Sequence, residues 1–303
     1  MRYTYEMTLF ARILIALCAA YCPLAAQDAA DDRTPIDDPT FARVADYYAY
    51  DPSLPLHAKV LDTQIYDPQH PYAVDKVHFR SSQNEVVPGL FAYPRDDSAC
   101  AAVILLHGNN GSQGIDHHWV RSWLDILGQA GYCALAIDAY GYGERFDPEQ
   151  NKDMGLYEWR ERTIQQATDT RRAIDYLYTR TQVDTTRIAV MGESMGGLIG
   201  IRAAGLDPRL AGLVLVVTAA GEFPTTGPFG RFANSLNFAP RVSAPVLMVN
   251  ATEDEYATKA AVEELYAVLP QPKELIWHQS GHLILMPAQQ RIILPWLEKH
   301  LSP

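Results

Sequence analysis

The run Arg187-Ile-Ala-Val-Met-Gly-Glu-Ser-Met-Gly-Gly-Leu-Ile-Gly-Ile-Arg202 leaves few folds open to this chain. Ile188 to Met191 is a short apolar stretch of the kind needed by a parallel strand covered on both faces. Gly192-Glu-Ser-Met-Gly196 then reverses direction, and Met195, Leu198, Ile199, Arg202 and Ala203 follow at helical spacing. A strand that turns into a helix this sharply admits only small residues two places either side of the serine. It leaves the Ser194 hydroxyl exposed at the apex. Glycine and serine are common enough for the pentapeptide to arise by chance, so its surroundings must decide what it means.

Those surroundings alternate. Apolar runs at 101–106, 132–137, 210–217, 246–250 and 275–278 read as strands, and periodic segments at 119–130, 160–178, 258–268 and 288–300 read as helices. In the first two helices Trp119, Trp123, Leu124 and Leu127, and Ile164, Ala167, Ile174 and Leu177, form the inward faces. Alternation of this kind predicts a mainly parallel sheet with helices on both sides. Before it, 60–66, 74–80 and 86–93 read as strands. The turn Ser81-Ser-Gln-Asn84 makes the last two an antiparallel hairpin, and Pro88 places the third strand at an edge. A short helix is expected within 41–50. With no internal repeat and no long linker, 59–303 reads as one catalytic domain preceded by an N-terminal extension, 27–58, whose first residues, 27–40, are polar and predicted to be disordered.

Residues 1–26 stand apart. Arg2 and Arg12 precede the apolar core Ile13-Leu-Ile-Ala-Leu-Cys-Ala-Ala20, and Leu24-Ala-Ala26 supplies small residues before Gln27. The segment reads as a secretory signal peptide, too short to remain as a stable membrane span, which predicts a secreted or periplasmic protein. Cys22 raises lipid anchoring as an alternative, although Tyr21 before it is bulky where a small residue is wanted. Cys100 and Cys133 both begin predicted strands. An oxidising compartment permits them to pair, but two buried free thiols is the preferred reading. A net charge of −11 argues against a nucleic-acid partner held on a broad basic surface.

A serine hydroxyl needs an imidazole to take its proton, and that imidazole needs a carboxylate to fix its tautomer. Both follow in order after later strands. Val246-Leu-Met-Val-Asn-Ala-Thr-Glu-Asp-Glu255 runs into an acidic turn, and Ser280-Gly-His282 follows the next strand. His282 is the candidate base; His278 lies within a strand and His300 within the last helix. Asp254 is the candidate acid in preference to Glu253 and Glu255, with Glu222 as the alternative after an earlier strand. His117 and His118 lack the companions of a metal site. The oxyanion requires two backbone N–H groups. Met195, at the start of its helix, offers one. The loop Leu105-Leu-His-Gly-Asn-Asn-Gly111 offers the other, from Asn109 in preference to Asn110, with His107 bracing the loop. The irregular stretch 220–241 carries Phe223, Phe229, Phe232 and Phe238. Phe223, Phe229 and Asn110 are candidate substrate contacts, and a plain surface loop is the competing reading of this stretch.

His107-Gly108, Gly192-Glu-Ser-Met-Gly196, Asp254 and Gly281-His282 resemble the α/β-hydrolase superfamily from about Val74 to the C-terminus. Asp138-Ala-Tyr-Gly-Tyr-Gly-Glu-Arg145 and Leu236-Asn-Phe-Ala-Pro-Arg241 are similar to its dienelactone-hydrolase and acetyl-xylan-esterase branch. The resemblance implies an α/β-hydrolase fold and hydrolysis of carboxylic esters through an acyl-enzyme, without metal or organic cofactor. Dienelactone hydrolases proper use cysteine, so Ser194 speaks against dienelactone as substrate. The short irregular stretch predicts a small lid, and with it short-chain or sugar acetyl esters. A prolyl-peptidase-like amidase is the alternative, weakened by an N-terminal segment too short for a propeller. A catalytically silent binding protein is disfavoured because Ser194, Asp254 and His282 are all present.

Overall fold

The computed structural model describes residues 33–64, 69–96, 98–152, 154–221 and 230–302. Among these residues nine strands form one sheet: β1 (Lys59–Gln64), β2 (Tyr72–Arg80), β3 (Val86–Pro94), β4 (Cys100–Leu106), β5 (Cys133–Ile137), β6 (Val183–Glu193), β7 (Gly212–Val216), β8 (Val246–Ala251) and β9 (Lys273–His278). Their spatial order is β1-β2-β3-β5-β4-β6-β7-β8-β9. The first three run antiparallel, β3 meets β5 antiparallel, and β4 to β9 are parallel to their neighbours and to β5.

The helices are α1 (Asp38–Asp46), α2 (His118–Gln129), α3 (Pro148–Lys152), α4 (Leu156–Leu177), α5 (Met195–Leu206), α6 (Gly230–Ala233), α7 (Lys259–Val268) and α8 (Met286–Leu301). Strands β4, β5, β7 and β8 are buried at every position, as their unbroken apolar runs require when helices cover both faces. One core layer joins the sheet to α1, α4, α5 and α7. The other joins it to α2 and α8.

Three expectations change. Strand β3 is internal, between β2 and β5, although it contains Pro88. Its ladder with β5 covers Gly89 to Ala92. The Pro88 carbonyl accepts from the Asp138 N–H just past the end of β5. The missing proline N–H points to that same side at the very end of the paired segment, so only the last rung is lost, and the Asp138 carbonyl it would have met accepts from Arg145 instead.

Second, the chain from Asp38 is helical, capped by the Asp37 side chain, which accepts from the Thr40 N–H. Residues 27–32 lie outside the described set. Tyr48 is buried and its hydroxyl donates to the Phe232 carbonyl at 2.7 Å. Phe41 and Tyr48 both pack edge-on against Phe238. The buried Arg172 guanidinium donates to the Leu54 carbonyl at 2.8 Å and pairs with Asp175. Residues 38–54 are thereby strapped onto α4.

Third, Cys100 and Cys133 form a disulfide, with Cα atoms 5.6 Å apart, and are not free thiols. Parallel pairing sets Ala102 opposite Cys133. Each cysteine opens one of two adjacent strands, which brings the thiols together at the amino end of the sheet.

Candidate active site

Strand β4 is the switch point of the sheet, since the chain moves outward from it to β5 on one side and to β6 on the other. The loops leaving the carboxyl ends of β4 and β6 therefore border one crevice, where open α/β sheets place their ligands. Leu106 and Gly192 are register partners, which sets the loop from His107 beside Ser194.

Ser194 has φ 52° and ψ −114°. A non-glycine residue at positive φ is strained by on the order of 1–3 kcal/mol. The two glycines of the motif make the turn possible for a packing reason. A Cβ on Gly196 would overlap the Leu106 carbonyl, and one on Gly192 would overlap the Gly196 backbone. The Ser194 N–H is tied to the Val216 carbonyl at 2.8 Å, continuing the ladder with β7.

From the ends of the next strands come the partners. His282 Nε2 lies 3.2 Å from Ser194 Oγ, and His282 Nδ1 lies 2.8 Å from Asp254 Oδ2. Asp254 Oδ1 accepts from the Tyr256 and Ala257 N–H groups, both at 2.9 Å, so the carboxylate is fixed in the turn after β8. The Thr252 N–H donates to the His278 carbonyl and the Glu253 N–H to the Ser280 carbonyl, binding the β8 loop to the β9 loop. Asp254 is buried and His282 half-buried. A deprotonated Nε2 facing the hydroxyl, with Nδ1–H donating to a carboxylate, is the arrangement that lets an imidazole take a serine proton. His278 instead lies 3.3 Å from the Ser280 hydroxyl within its own turn. Glu222 lies outside the described residues.

The Met195 N–H is the first of α5 and has no intrahelical partner by position, at the positive end of the helix dipole. Across from it, a Cβ on Gly108 would come within 3.6 Å of the Ser194 Cβ. The Asn109 backbone is thus adjacent to the nucleophile candidate. Met195 and Asn109 line the same cavity, of about 390 Å³, together with Tyr142, Trp159, Gln166 and Leu198. Asn110 sits differently: its side-chain amide donates to the Gly114 carbonyl and its oxygen accepts from the Gly114 N–H. It closes the loop on itself.

His107 braces this loop from inside the sheet. Its Nε2 accepts from the Ala139 N–H at 3.1 Å, so Nδ1 carries the proton and donates to the Gly108 carbonyl at 2.8 Å. Burial holds its imidazole neutral, with a pKa lowered to about 4. Two more supports come from the Asp138–Arg145 run. The Tyr142 hydroxyl donates to Asn109 Oδ1, and the buried Asp138 carboxylate accepts from the Ile115 and Glu144 N–H groups.

Two features had no counterpart in the sequence reading. Glu193, beside the serine, is buried against Gly108, and burial pushes its carboxyl up to about 7. The cavity wall formed by Thr163 and Gln166 comes from a run of buried polar residues in α4. Their i, i+3 spacing on a face otherwise carrying Ile164 and Ala167 was the available signal. Phe223 and Phe229 lie outside the described residues. Phe238 is a core residue rather than part of a plain surface loop, and Phe232 packs on Tyr47. Among the described residues no group of three or more His, Cys, Asp or Glu is placed to hold a metal ion, and no helix is long and apolar enough to cross a membrane.

A switch-point crevice with a strained serine after β6, a buried aspartate after β8 and a histidine after β9, all at one edge of the parallel sheet, defines an α/β-hydrolase. Residues 87–282 match the model of the dienelactone hydrolase family, and the chain belongs to that family. It is 32% identical to YtaP of Bacillus subtilis (strain 168) over 143 residues, which make up 42% of this chain and 46% of that protein. An acetyl xylan esterase from Paenibacillus sp. R4 superposes with a TM-score of 0.72 at 22% identity, covering 89% of this chain and 98% of that one. Acetyl xylan esterase 1 from Thermoanaerobacterium sp. JW/SL YS485 superposes with a TM-score of 0.70 at 17% identity, over 89% and 95% of the two chains. At these identities the likeness is one of fold.

Proposed function

We propose that the protein is an exported serine esterase acting through an acyl-enzyme on short-chain or sugar acetyl esters. The observation that carries this reading is the continuous relay from Ser194 Oγ to His282 at 3.2 Å and from His282 to Asp254 at 2.8 Å. As Oγ bonds to the ester carbonyl carbon, its proton passes to His282 Nε2. The carbonyl π pair moves onto oxygen and is held by the Met195 and Asn109 N–H groups. The tetrahedral centre collapses with cleavage of the carbon–oxygen bond to the alcohol, which leaves with the proton from Nε2. Water then repeats the sequence on the acyl-serine, returning the acid and free Ser194. Asp254 keeps the proton of Nδ1 facing it and stabilises the imidazolium between the two transfers.

The acetyl preference follows from the short irregular stretch after β7 and is favoured by the fold shared with acetyl xylan esterases. Export is supported by the apolar run of residues 13–20 and by the Cys100–Cys133 bond, since disulfides persist in oxidising compartments.

Hydrolysis of p-nitrophenyl acetate, butyrate and octanoate by wild type and Ser194→Ala tests the reading. Acetate turned over fastest, with loss on the order of 10⁴-fold or more in the variant, is the expected result. Equal turnover by both proteins removes Ser194 as nucleophile, and fastest cleavage of octanoate removes the small-acyl preference. N-terminal sequencing of protein recovered outside the cytoplasm checks cleavage before Gln27.

A further inference from the structure

Tyr256, Leu283 and Leu285 are 83%, 70% and 75% exposed, more than any other large hydrophobic residue described in the chain. Exposed apolar side chains are ordinary when scattered singly. These three are not scattered. Leu283 directly follows the candidate base, and Leu285 is two residues further along the same segment. The Tyr256 ring packs edge-on against the His282 ring at 5.1 Å, two residues after the candidate acid.

The backbone that carries them is held rigidly. Ile284 is buried between the two leucines, and its carbonyl accepts from the buried Gln289 side chain at 2.6 Å. Gln289 Oε1 in turn accepts from the indole N–H groups of Trp119 and Trp123. The Tyr256 N–H is fixed on Asp254. Anchoring Ile284 inward holds its two neighbours outward, because successive side chains of an extended segment alternate.

Resting on the serine-esterase reading above, and selecting its short-chain branch over its sugar-acetate branch, we propose that Tyr256, Leu283 and Leu285 form the binding platform for the alcohol half of the ester, and that this half is apolar, an aryl or bulky alkyl group. Proton transfer dictates the side. The departing oxygen must reach His282 Nε2 to be protonated, so the group attached to it leaves over the His282 rim. The acyl half has its own space, the cavity lined by Met195, Asn109 and Leu198, in which neither His282 nor the three rim residues takes part. An apolar alcohol covering the rim removes two leucines and a tyrosine ring from water, and a pocket distinguishes such groups by about 10–200-fold per well-placed increment. A polyol would cover the same leucines at the cost of its own hydration.

Esters sharing one acyl group isolate the alcohol. We expect kcat/KM for benzyl acetate to exceed that for methyl acetate and for acetylated xylose by about tenfold or more. In Leu283→Ser/Leu285→Ser, the ratio of benzyl to methyl acetate kcat/KM should fall about tenfold. The melting temperature should stay at the wild-type value, because both side chains are exposed. Tyr256→Ala should lower the same ratio. An unchanged ratio in the double variant, or a wild-type preference for the acetylated sugar, overturns the platform even when Ser194→Ala is inactive. Turnover of methyl acetate by Ser194→Ala would instead overturn the serine reading on which the platform rests. Sedimentation of the wild type as a dimer that the double variant converts to monomer would identify the rim as a contact between copies, and overturn the proposal.

Discussion

The two ends of the parallel sheet are built on opposite terms. At the amino end the chain is bound down. Cys100 and Cys133 are joined covalently, the Cys100 N–H donates to the Gln182 carbonyl, and Arg187 is held by Asp184 and by the Leu301 carbonyl. At the carboxyl end the same strands release Ser194 at positive φ, a buried Glu193 carboxyl and an apolar rim in water. None of these stabilises the fold. The contrast teaches that one end holds the strands in register so that the other can be kept strained and exposed.

Asp254→Asn probes the contrast most severely. Loss of the carboxylate that orients His282 should lower kcat by about 10³–10⁴-fold, with a melting temperature close to wild type. A large loss in Glu222→Gln with little in Asp254→Asn would move the acid to the earlier strand. Next comes the opposite end. Cys100→Ser/Cys133→Ser opens a loop with a sequence separation of 33 residues and should cost about 3–4 kcal/mol of stability. Its kcat/KM at 25 °C should stay within about twofold of wild type if register and chemistry are separate tasks. A comparable fall in kcat/KM would show that the ends are coupled.

Glu193 gives the smallest effect and the sharpest sign. Burial raises its pKa from 4.5 to about 7 in the folded state. Between those values the folded protein holds a proton that the unfolded chain has lost, so this group makes stability fall as pH rises from about 4.5 to about 7. Glu193→Gln removes that slope. The stability of the variant relative to wild type should therefore increase by on the order of 1–3 kcal/mol between pH 4 and pH 8, measured by denaturant titration at both. The same difference at both pH values would mean that the carboxyl is not held neutral.

Much of this was legible because the periodicities were unambiguous. Ile188 to Met191 and Val246 to Asn250 cannot be solvent-exposed strands, and glycines two places either side of Ser194 have no use in a loose loop. Order along the chain then paired Ser194 with Asp254 and His282, since parallel strands deliver the residues that follow them to a common edge. What was not legible depends on relations between distant segments. Pro88 is tolerated inside the sheet because β5 ends where it does, a fact held fifty residues away. The bond between Cys100 and Cys133 requires the β4–β5 register. Asn110 and Asn109 are adjacent and chemically identical, and the side chain of Asn110 turns back on Gly114 while that of Asn109 accepts from Tyr142.

The backbone bonds from Thr252 to His278 and from Glu253 to Ser280 have a consequence for how the relay can vary. They make Asp254 and His282 one module, while Ser194 and the Met195 and Asn109 N–H groups make another, hung on β6 and β4. The modules face each other across the Nε2···Oγ gap of 3.2 Å. A small displacement of either would change that gap and leave the internal geometry of both intact. Catalytic tuning then reduces to a single adjustable seam, and substitutions in the β9 loop that shift it should alter rate without altering which atoms carry the charge.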